Sequence, residues 1–239
     1  MNRSEFITTA VGLLAFSKIN ADQLKNYDPQ LLIGKGKPKL LGATHQMLPE
    51  VYTSLQKMVK SANNDGIQIK VVSAYRSYDR QKAIWNRKYT HLRNEGVEGI
   101  NAIKKIIEYS TIPGTSRHHW GTDIDIIDGS KPEEGDVLVT KKFHGNGPYC
   151  SLREWMEANG HKFGFLRPYT QDPGRSGFLY EPWHYSYAKI AKAMLNTYLK
   201  LNITSLIKDS DLLGSHLLDS EFINAYVNTH VLGIDPALL

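Results

Sequence analysis

The sequence predicts a single α+β domain that ends in a helical C-terminal extension. Three observations support this fold class. Apolar residues recur at helical spacing in some segments and alternate with polar residues in others. Neither an internal repeat nor a long linker divides the 239 residues. A hydrophobic content of 41% is enough for one packed core.

The first expected element is an extended N-terminal segment over residues 22–47, in which Gly, Pro and Lys are frequent. A helix follows, because apolar residues recur every three or four positions until the sequence NNDG at 63–66. Ile67, Ile69 and Val71 then alternate with polar residues. This alternation predicts a strand.

Helices and strands are expected to alternate through the middle of the chain. Ser77 is the predicted N-cap of a helix that carries Asp79 in its first turn, and a second helix is expected around 100–109. The sequence DIDII at 123–127 predicts a strand with acidic side chains on one face and isoleucines on the other.

The third part of the chain begins with a capping-box pattern. Ser151 and Glu154 form this pattern and predict a helix that ends at Gly160. Short strands are expected at 163–165 and 181–185. A helical pattern follows them.

The charge of the chain is uneven. The formal net charge is +5, but residues 201–239 hold one Lys and five acidic residues, which leaves about +9 on residues 1–200. The acidic segment is the predicted helical extension. A basic body can face nucleic acid, an anionic membrane surface or an acidic polymer such as a cell wall. We expect no nucleic acid as partner, because no Arg-rich helix, zinc-finger spacing or aromatic RNA-binding motif is present.

The N-terminus resembles a bacterial secretory signal. Arg3 precedes an uncharged run of apolar and small residues from Phe6 to Phe16. We expect residues 1–21 to act as a signal peptide and the protein to be exported, to the periplasm or the extracellular space. The alternative is an amphipathic first helix packed on the domain. No stable membrane span is expected, because the run is too short and no later segment approaches 18 apolar residues.

Two segments carry residues that suit a metal site. The sequence SRHHWGTDID at 116–125 contains His118 and Asp125, and EPWH further along contains Glu181 and His184. Hydrolytic zinc sites usually take three ligands from His and carboxylates. A Glu close to such a site can serve as general base. Each segment alone is common by chance, so the spacing shows only that a site is feasible. The single Cys150 excludes an internal disulfide and a thiolate zinc cage.

Taken together, three motifs match a known family in the family's order. SAYRSYDRQ at 73–81, SRHHWGTDID at 116–125 and EPWH at 181–184 resemble the zinc D-alanyl-D-alanine carboxypeptidases and related peptidoglycan peptidases, which include the vancomycin-resistance carboxypeptidases. The resemblance covers roughly residues 48–187. It implies a small antiparallel sheet flanked by helices, with the zinc cleft on the sheet, in a peptidase domain at 48–200.

The resemblance also implies roles for individual residues. His118, Asp125 and His184 match the zinc ligands, and Glu181 matches the catalytic base. Arg76 matches the arginine that stabilises negative charge on the substrate. Further substrate contacts are implied at Ser116, Gln81 and Trp183, although Trp183 suits the core equally well.

Two positions leave alternatives open. Asp123 stands where the family pattern usually has Ala, and on a strand it points to the same side as Asp125. It could be a ligand, hold a metal-binding His in place or face solvent; the family register favours Asp125. His119 adjoins His118, and only His118 keeps the Ser-x-His spacing.

The function implied by the resemblance is Zn²⁺-dependent hydrolysis of the D-alanyl-D-alanine terminal bond of peptidoglycan stem peptides. The alternatives are an L,D-carboxypeptidase, a peptidoglycan endopeptidase and a non-catalytic zinc-containing module that binds the cell wall. The unmatched segments at 128–150 and 201–239 could shape the cleft. The sequence leaves the oligomeric state open.

Overall fold

A computed structural model describes residues 27–239. The predicted signal peptide at 1–21 lies outside the described residues. Within the part of the chain that is described, no helix combines the length and hydropathy of a membrane span.

The centre of the fold is a four-stranded antiparallel sheet with the strand order β1-β2-β4-β3. The strands are β1 (Ile69–Ser73), β2 (Asp123–Asp128), β3 (Phe165–Leu166) and β4 (His184–Tyr187). The α-helices of the described residues are α1 (Pro29–Leu32), α2 (Pro49–Asn64), α3 (Tyr78–Asn94), α4 (Gly99–Ile107), α5 (Cys150–Asn159), α6 (Ala188–Tyr198), α7 (Ile203–Leu206) and α8 (Ser220–Tyr226). The predicted α+β class is therefore confirmed.

Helices α2 and α3 form where periodicity and capping predict them. The apolar stripe of α2, from Val51 to Ala62, is buried against the sheet. Helix α3 begins after Ser77, whose hydroxyl accepts a hydrogen bond from the backbone N–H of Arg80. That bond satisfies one of the free N–H groups at the helix start.

The N-terminal segment is not extended throughout, as the sequence analysis expected. Its residues Pro29–Leu32 form the one-turn helix α1. The carboxylate of Asp28 accepts a hydrogen bond from the N–H of Gln30, and Pro29 fits the first helical position because it lacks an N–H. The cap and the proline together favour a helical turn.

The predicted capping box at Ser151 and Glu154 is wrong. Helix α5 begins two residues earlier than this pattern implies, at Cys150, and its N-cap Tyr149 makes no side-chain cap. Glu154 instead pairs with the guanidinium of Arg153, at 2.9 Å. An ion pair with a neighbouring side chain replaces the reciprocal cap.

The last two strands are shifted from their predicted positions. Strand β3 covers only Phe165–Leu166, and β4 begins at His184 rather than at 181. The N–H of His184 donates to the carbonyl of Glu181, so the EPWH sequence is a turn that precedes the strand. Pro182 contributes to this turn because it cannot donate to a sheet ladder.

Buried apolar side chains form two clusters. One lies between the sheet, α2 and α5. The other joins α3, α4 and α6 to the C-terminal segment, which contributes Ile203, Ile207, Ile223, Tyr226 and Leu238 among others. Residues 201–239 are therefore helical in part, and they share a core with the middle of the chain.

Candidate metal centre

The first site loop is a tight turn between helix and strand. Residues Arg117–Trp120 form a 3-10 turn that ends at Gly121 in the left-handed conformation, with φ 67°. A Cβ at Gly121 would lie 3.2 Å from a methyl carbon of Leu40, so the turn favours glycine. The indole of Trp120 donates to the carbonyl of Leu32. The N-terminal segment thus holds this loop in place.

Three predicted ligands meet at the end of this loop. One potential ligand atom from each of His118, Asp125 and His184 lies within 4.8 Å of the others, and all three residues are buried. Asp125 is directly opposite His184 in the register of β2 and β4. The expected metal site is therefore confirmed.

Hydrogen bonds fix which nitrogen of each imidazole faces the site. The Nδ1–H of His118 donates to the carbonyl of Ala74 at 2.8 Å, which leaves the Nε2 lone pair free. The Nε2–H of His184 donates to the carboxylate of Asp123 at 2.9 Å, which leaves Nδ1 free. Both free nitrogens lie close to Asp125, at 3.3 Å and 3.2 Å from its oxygens.

The donor set fits zinc. Two imidazole nitrogens and one carboxylate are the ligands of many hydrolytic zinc sites, which keep a fourth position open. The Oδ1 atom of Asp125 is buried and has no hydrogen-bond partner. A buried carboxylate oxygen without a donor is costly unless a cation binds it.

The electrostatics of the site favour a cation. Burial would raise the pKa of Asp125, but His118 and His184 hold that pKa well below its usual range. Burial opposes the charge of His184, yet the neighbouring carboxylates of Asp123, Asp125 and Glu181 raise its pKa well above the usual value. The negative field that favours a proton on His184 also favours a metal ion.

Asp123 is not a ligand in this arrangement. Its Oδ2 accepts hydrogen bonds from His184 and from the Nε of Arg117, and its Oδ1 accepts from the hydroxyls of Thr122 and Ser186. Four donors saturate the carboxylate. Asp123 therefore lies outside the three-residue cluster and is hydrogen-bonded to His184.

His119 points away from the metal centre. Its Nδ1–H donates to the carbonyl of Arg76 at 2.6 Å, and its Nε2 accepts from the N–H of Gly114 at 3.1 Å. Burial lowers the pKa of His119 to about 3, so the ring is neutral. It links the loop before β2 to the segment that carries Arg76.

A cavity of about 300 Å³ opens at the metal centre, and Glu181 lies in its wall. The Oε2 of Glu181 is 3.2 Å from Nδ1 of His184, the nitrogen that faces the site. The backbone N–H of Glu181 donates to the carbonyl of Tyr169, and this bond anchors the turn. The carboxylate is therefore beside the metal position without being part of the three-residue cluster.

Arg76 lies in the same cavity wall. Its Nη1 donates to Oε1 of Gln81 at 2.9 Å and its Nη2 to the hydroxyl of Ser73 at 3.2 Å. Burial lowers the pKa of Arg76, while the nearby charges of Asp125 and Glu181 oppose that effect. Two side chains thus orient a cation whose guanidinium faces the cavity and its carboxylates.

The other predicted substrate contacts have different outcomes. Ser116 and Trp183 line the cavity, and the indole of Trp183 also packs at a tilt on Phe143, 5.7 Å between centroids. Gln81 is fully buried and does not line the cavity. The expectation of a substrate contact at Gln81 is corrected, because its amide is occupied by Arg76 and by the carbonyl of Thr111.

Sequence reasoning missed several residues of the cavity wall. Asp136 and Leu138 come from the unmatched segment 128–150, and aromatic or apolar walls come from Tyr109, Tyr169 and Phe178. None of them lies in a motif, and no local pattern distinguishes them from other loop residues. Only the folded chain brings them to the cavity.

Two curated relatives share part of the sequence. A D-alanyl-D-alanine carboxypeptidase of Enterococcus faecalis is 30% identical over 141 residues, which are 58% of this chain and 47% of the relative. The chain thus spans about half the length of that protein. The bifunctional D-Ala-D-Ala dipeptidase and D-Ala-D-Ala carboxypeptidase VanXYC of Enterococcus gallinarum is 26% identical over 185 residues, 75% of this chain and 89% of the relative.

Solved structures share the fold. The LdcB LD-carboxypeptidase has a TM-score of 0.52 and 25% identity, covering 71% of this chain and 78% of that one. The vancomycin resistance D,D-pentapeptidase VanY, solved in complex with Zn(II), has a TM-score of 0.50 and 24% identity. The match covers 72% of this chain and 90% of that one. The second likeness shows the fold alone.

A family comparison covers the motifs, the sheet and the metal centre together. Residues 44–190, more than half of the chain, match the family described as VanY, D-alanyl-D-alanine carboxypeptidase. This range contains all three metal-binding side chains, Glu181 and Arg76. The chain therefore belongs to the VanY family of D-alanyl-D-alanine carboxypeptidases.

Proposed function

We propose that this protein is a zinc-dependent carboxypeptidase that hydrolyses the terminal D-alanyl-D-alanine bond of peptidoglycan stem peptides. Family membership supports the reaction class. The names of the two curated relatives support the substrate, since both are described as acting on D-Ala-D-Ala or as D-alanyl-D-alanine carboxypeptidases.

One observation carries the proposal, namely the place of Glu181. Its carboxylate lies 3.2 Å from the metal-facing nitrogen of His184 and borders the same cavity as Arg76. A module that only binds the cell wall needs no general base beside its metal. The retained Glu and Arg favour an enzyme over such a module.

The residues divide the work of hydrolysis. Zinc, when bound by His118, Asp125 and His184, supplies Lewis-acid chemistry that activates water and polarises a carbonyl. Glu181 accepts the proton of the attacking water and returns it to the nitrogen of the leaving D-alanine, so that one water is consumed and one C–N bond breaks. Arg76 stabilises the negative charge that develops on the carbonyl oxygen.

We also propose that the protein works outside the cytoplasm. The uncharged run from Phe6 to Phe16 behind Arg3 supports export. The positive charge of residues 1–200 suits an anionic cell-wall polymer.

The test of the proposed function uses Glu181→Gln in the full chain. The variant should keep about one zinc per chain, because Glu181 is not in the ligand cluster, and should still bind a stem pentapeptide ending in D-alanyl-D-alanine. Its hydrolysis of that peptide should fall on the order of 10²–10⁴-fold, since the proton acceptor is lost. Zinc content is measured by elemental analysis, and D-alanine release by mass spectrometry.

Two further variants bracket this result. His184→Ala should lose the metal, and Glu154→Gln, on the exposed side of α5, should leave both zinc content and turnover unchanged. A zinc-loaded wild type that leaves the pentapeptide intact at stoichiometric enzyme would contradict the proposed function. Release of a D-amino acid only from tetrapeptides would replace it with the L,D activity.

A further inference from the structure

The carboxylate of Asp123 is fully buried and lies behind His184, on the side away from the metal position. We propose that Asp123, held by the buried guanidinium of Arg117, is a positioning residue that orients His184 and sets the zinc affinity of the site. The inference rests on the proposed zinc site. It assigns a role in metal binding to two residues outside the ligand cluster.

Four hydrogen bonds hold the carboxylate of Asp123 in one orientation. Its Oδ2 accepts hydrogen bonds from the Nε2–H of His184 and the Nε of Arg117, both at 2.9 Å. Its Oδ1 accepts from the hydroxyls of Thr122 and Ser186, both at 2.7 Å. Each oxygen is therefore held by two donors, and the carboxylate cannot turn to follow a moving ring.

This fixed acceptor decides which nitrogen His184 presents. A neutral imidazole carries one N–H, and the other nitrogen keeps the lone pair that binds a metal. With Asp123 in place the proton sits on Nε2, and Nδ1 faces Asp125 at 3.2 Å. Without Asp123 the ring gains a second tautomer and freedom to rotate, and part of the population loses its ligand atom.

Arg117 makes the buried carboxylate possible. Its side chain is 3% exposed, and it bonds Asp123 through Nε and Ser186 through Nη2, at 2.7 Å. The guanidinium also lies 4.9 Å from the ring centre of Trp120. Since Ser186 is opposite Asp123 in the register of β2 and β4, the same network joins the two strands that carry Asp125 and His184.

The ion pair between Arg117 and Asp123 allows the effect on zinc binding to be measured apart from the effect on stability. Removing one partner of a buried ion pair leaves an uncompensated charge and is strongly destabilising, whereas replacing both by apolar side chains is often neutral. Asp123→Ala alone should therefore lower both stability and zinc affinity. The double variant Arg117→Met/Asp123→Ala should recover part of that stability, because no buried charge is left unpaired, but it cannot recover the acceptor for His184.

The test measures zinc dissociation constants by competition with a chelator at neutral pH, together with thermal unfolding of the metal-free proteins. We expect the double variant to unfold at a higher temperature than Asp123→Ala and to bind zinc about 10–100-fold more weakly than the wild type, the usual cost of losing a carboxylate behind a ligand His. The matched control is Glu157→Ala/Arg167→Met, which removes an ion pair between α5 and the residue after β3, and its zinc affinity should be unchanged. A double variant that folds and binds zinc as tightly as wild type would overturn the inference.

A spectroscopic measurement on the wild type needs no variant to fold. In the zinc-loaded, ¹⁵N-labelled protein, the Nε2–H of His184 should give a resonance protected from exchange with solvent, because its proton is held by Asp123. Absence of that resonance in the wild type contradicts the proposed hydrogen bond. A wild type that binds zinc with this dependence on Asp123 but hydrolyses no peptide would overturn the proposed function and leave the positioning role intact.

Discussion

At the residue scale, the chemistry depends on polar side chains whose partners leave them little choice of orientation. His118 is held by the carbonyl of Ala74, and His184 by the carboxylate of Asp123. Arg76 is held in a similar way by Gln81 and Ser73. Groups that are oriented before a ligand arrives lose less entropy when it binds.

Arg76→Lys tests whether the planar guanidinium of Arg76 is needed for turnover. The substitution keeps the charge but cannot donate to Gln81 and Ser73 while presenting the remaining N–H groups, so turnover of the pentapeptide should fall about 10²-fold or more. Zinc content should be normal because Arg76 is not a ligand. Steady-state kinetics with elemental analysis measure both quantities.

The control for this substitution is Arg80→Lys, on the exposed face of α3 one turn further along. It should leave turnover within about twofold of wild type, as expected for a surface change. Unchanged turnover in Arg76→Lys would show that the SAYRSY motif has a structural role only.

At the element scale, the site is made by pairing β2 with β4. The register places Asp125 opposite His184 and Asp123 opposite Ser186, so one strand pair supplies two ligands and the network behind them. Helix α3 is also linked to the C-terminal segment by an ion pair, in which Nζ of Lys82 lies 2.8 Å from Oδ2 of Asp209. Lys82 and Asp209 are both mostly buried.

This ion pair gives stability a pH dependence. Burial would raise the pKa of Asp209, but the hydrogen bond and charge of Lys82 lower that pKa below its ordinary value. A lowered carboxyl pKa stabilises the fold above the unfolded-state pKa of about 3.9, and the contribution is lost as pH falls through the folded-state pKa. Asp209→Asn should therefore cost about 1 kcal/mol of unfolding free energy at neutral pH, and the difference from wild type should shrink to nothing in strong acid.

Asp79→Asn is the matched control for Asp209→Asn. Asp79 lies 3.9 Å from the same Lys82, but its side chain is 89% exposed. Its loss should change stability by less than about 0.5 kcal/mol at any pH. Urea unfolding of the three proteins across the pH range compares them, and a cost for Asp209→Asn that persists in strong acid would contradict the ion-pair explanation.

At the scale of the whole molecule, the C-terminal segment completes a core rather than extending a finished domain. Its side chains are buried among those of α3, α4 and α6, and the hydroxyl of Tyr226 bonds Thr115 and the N–H of Ile112 just before the first site loop. The match to the family ends at residue 190, but the buried apolar cluster includes residues as far along the chain as Leu238.

Truncation after Lys200 tests this dependence. The change removes ten buried apolar side chains from one cluster, namely Ile203, Ile207, Leu212, Leu218, Ile223, Tyr226, Val227, Val231, Ile234 and Leu238. Each is worth about 1.5–3 kcal/mol when buried, which together exceeds the roughly 5–15 kcal/mol stability of a typical domain. The shortened chain should show no cooperative thermal transition by circular dichroism. A cooperative transition with bound zinc would show instead that residues 201–239 are a dispensable extension.

Local patterns along the chain predict the helices α2 and α3 and the strand β2, and the family resemblance indicates His118, Asp125 and His184 as metal ligands. Apolar periodicity and a Ser N-cap are local properties, so they are visible without the fold. The ligands were visible because the family's motifs keep their spacing along the chain. The ends of β3 and β4 and the start of α5 were misplaced, because local patterns do not show which side-chain partner a terminal residue will choose.

The different roles of Asp123 and Asp125 become visible only in the folded chain. Both point to the same side of β2, and their roles separate because β4 places His184 opposite Asp125, while Arg117 and Ser186 take up Asp123. The same holds for Gln81, which is turned inward to Arg76, and for the cavity wall at Asp136 and Leu138. Each of these outcomes depends on which distant side chains become neighbours, and strand pairing and packing, rather than local spacing, determine that.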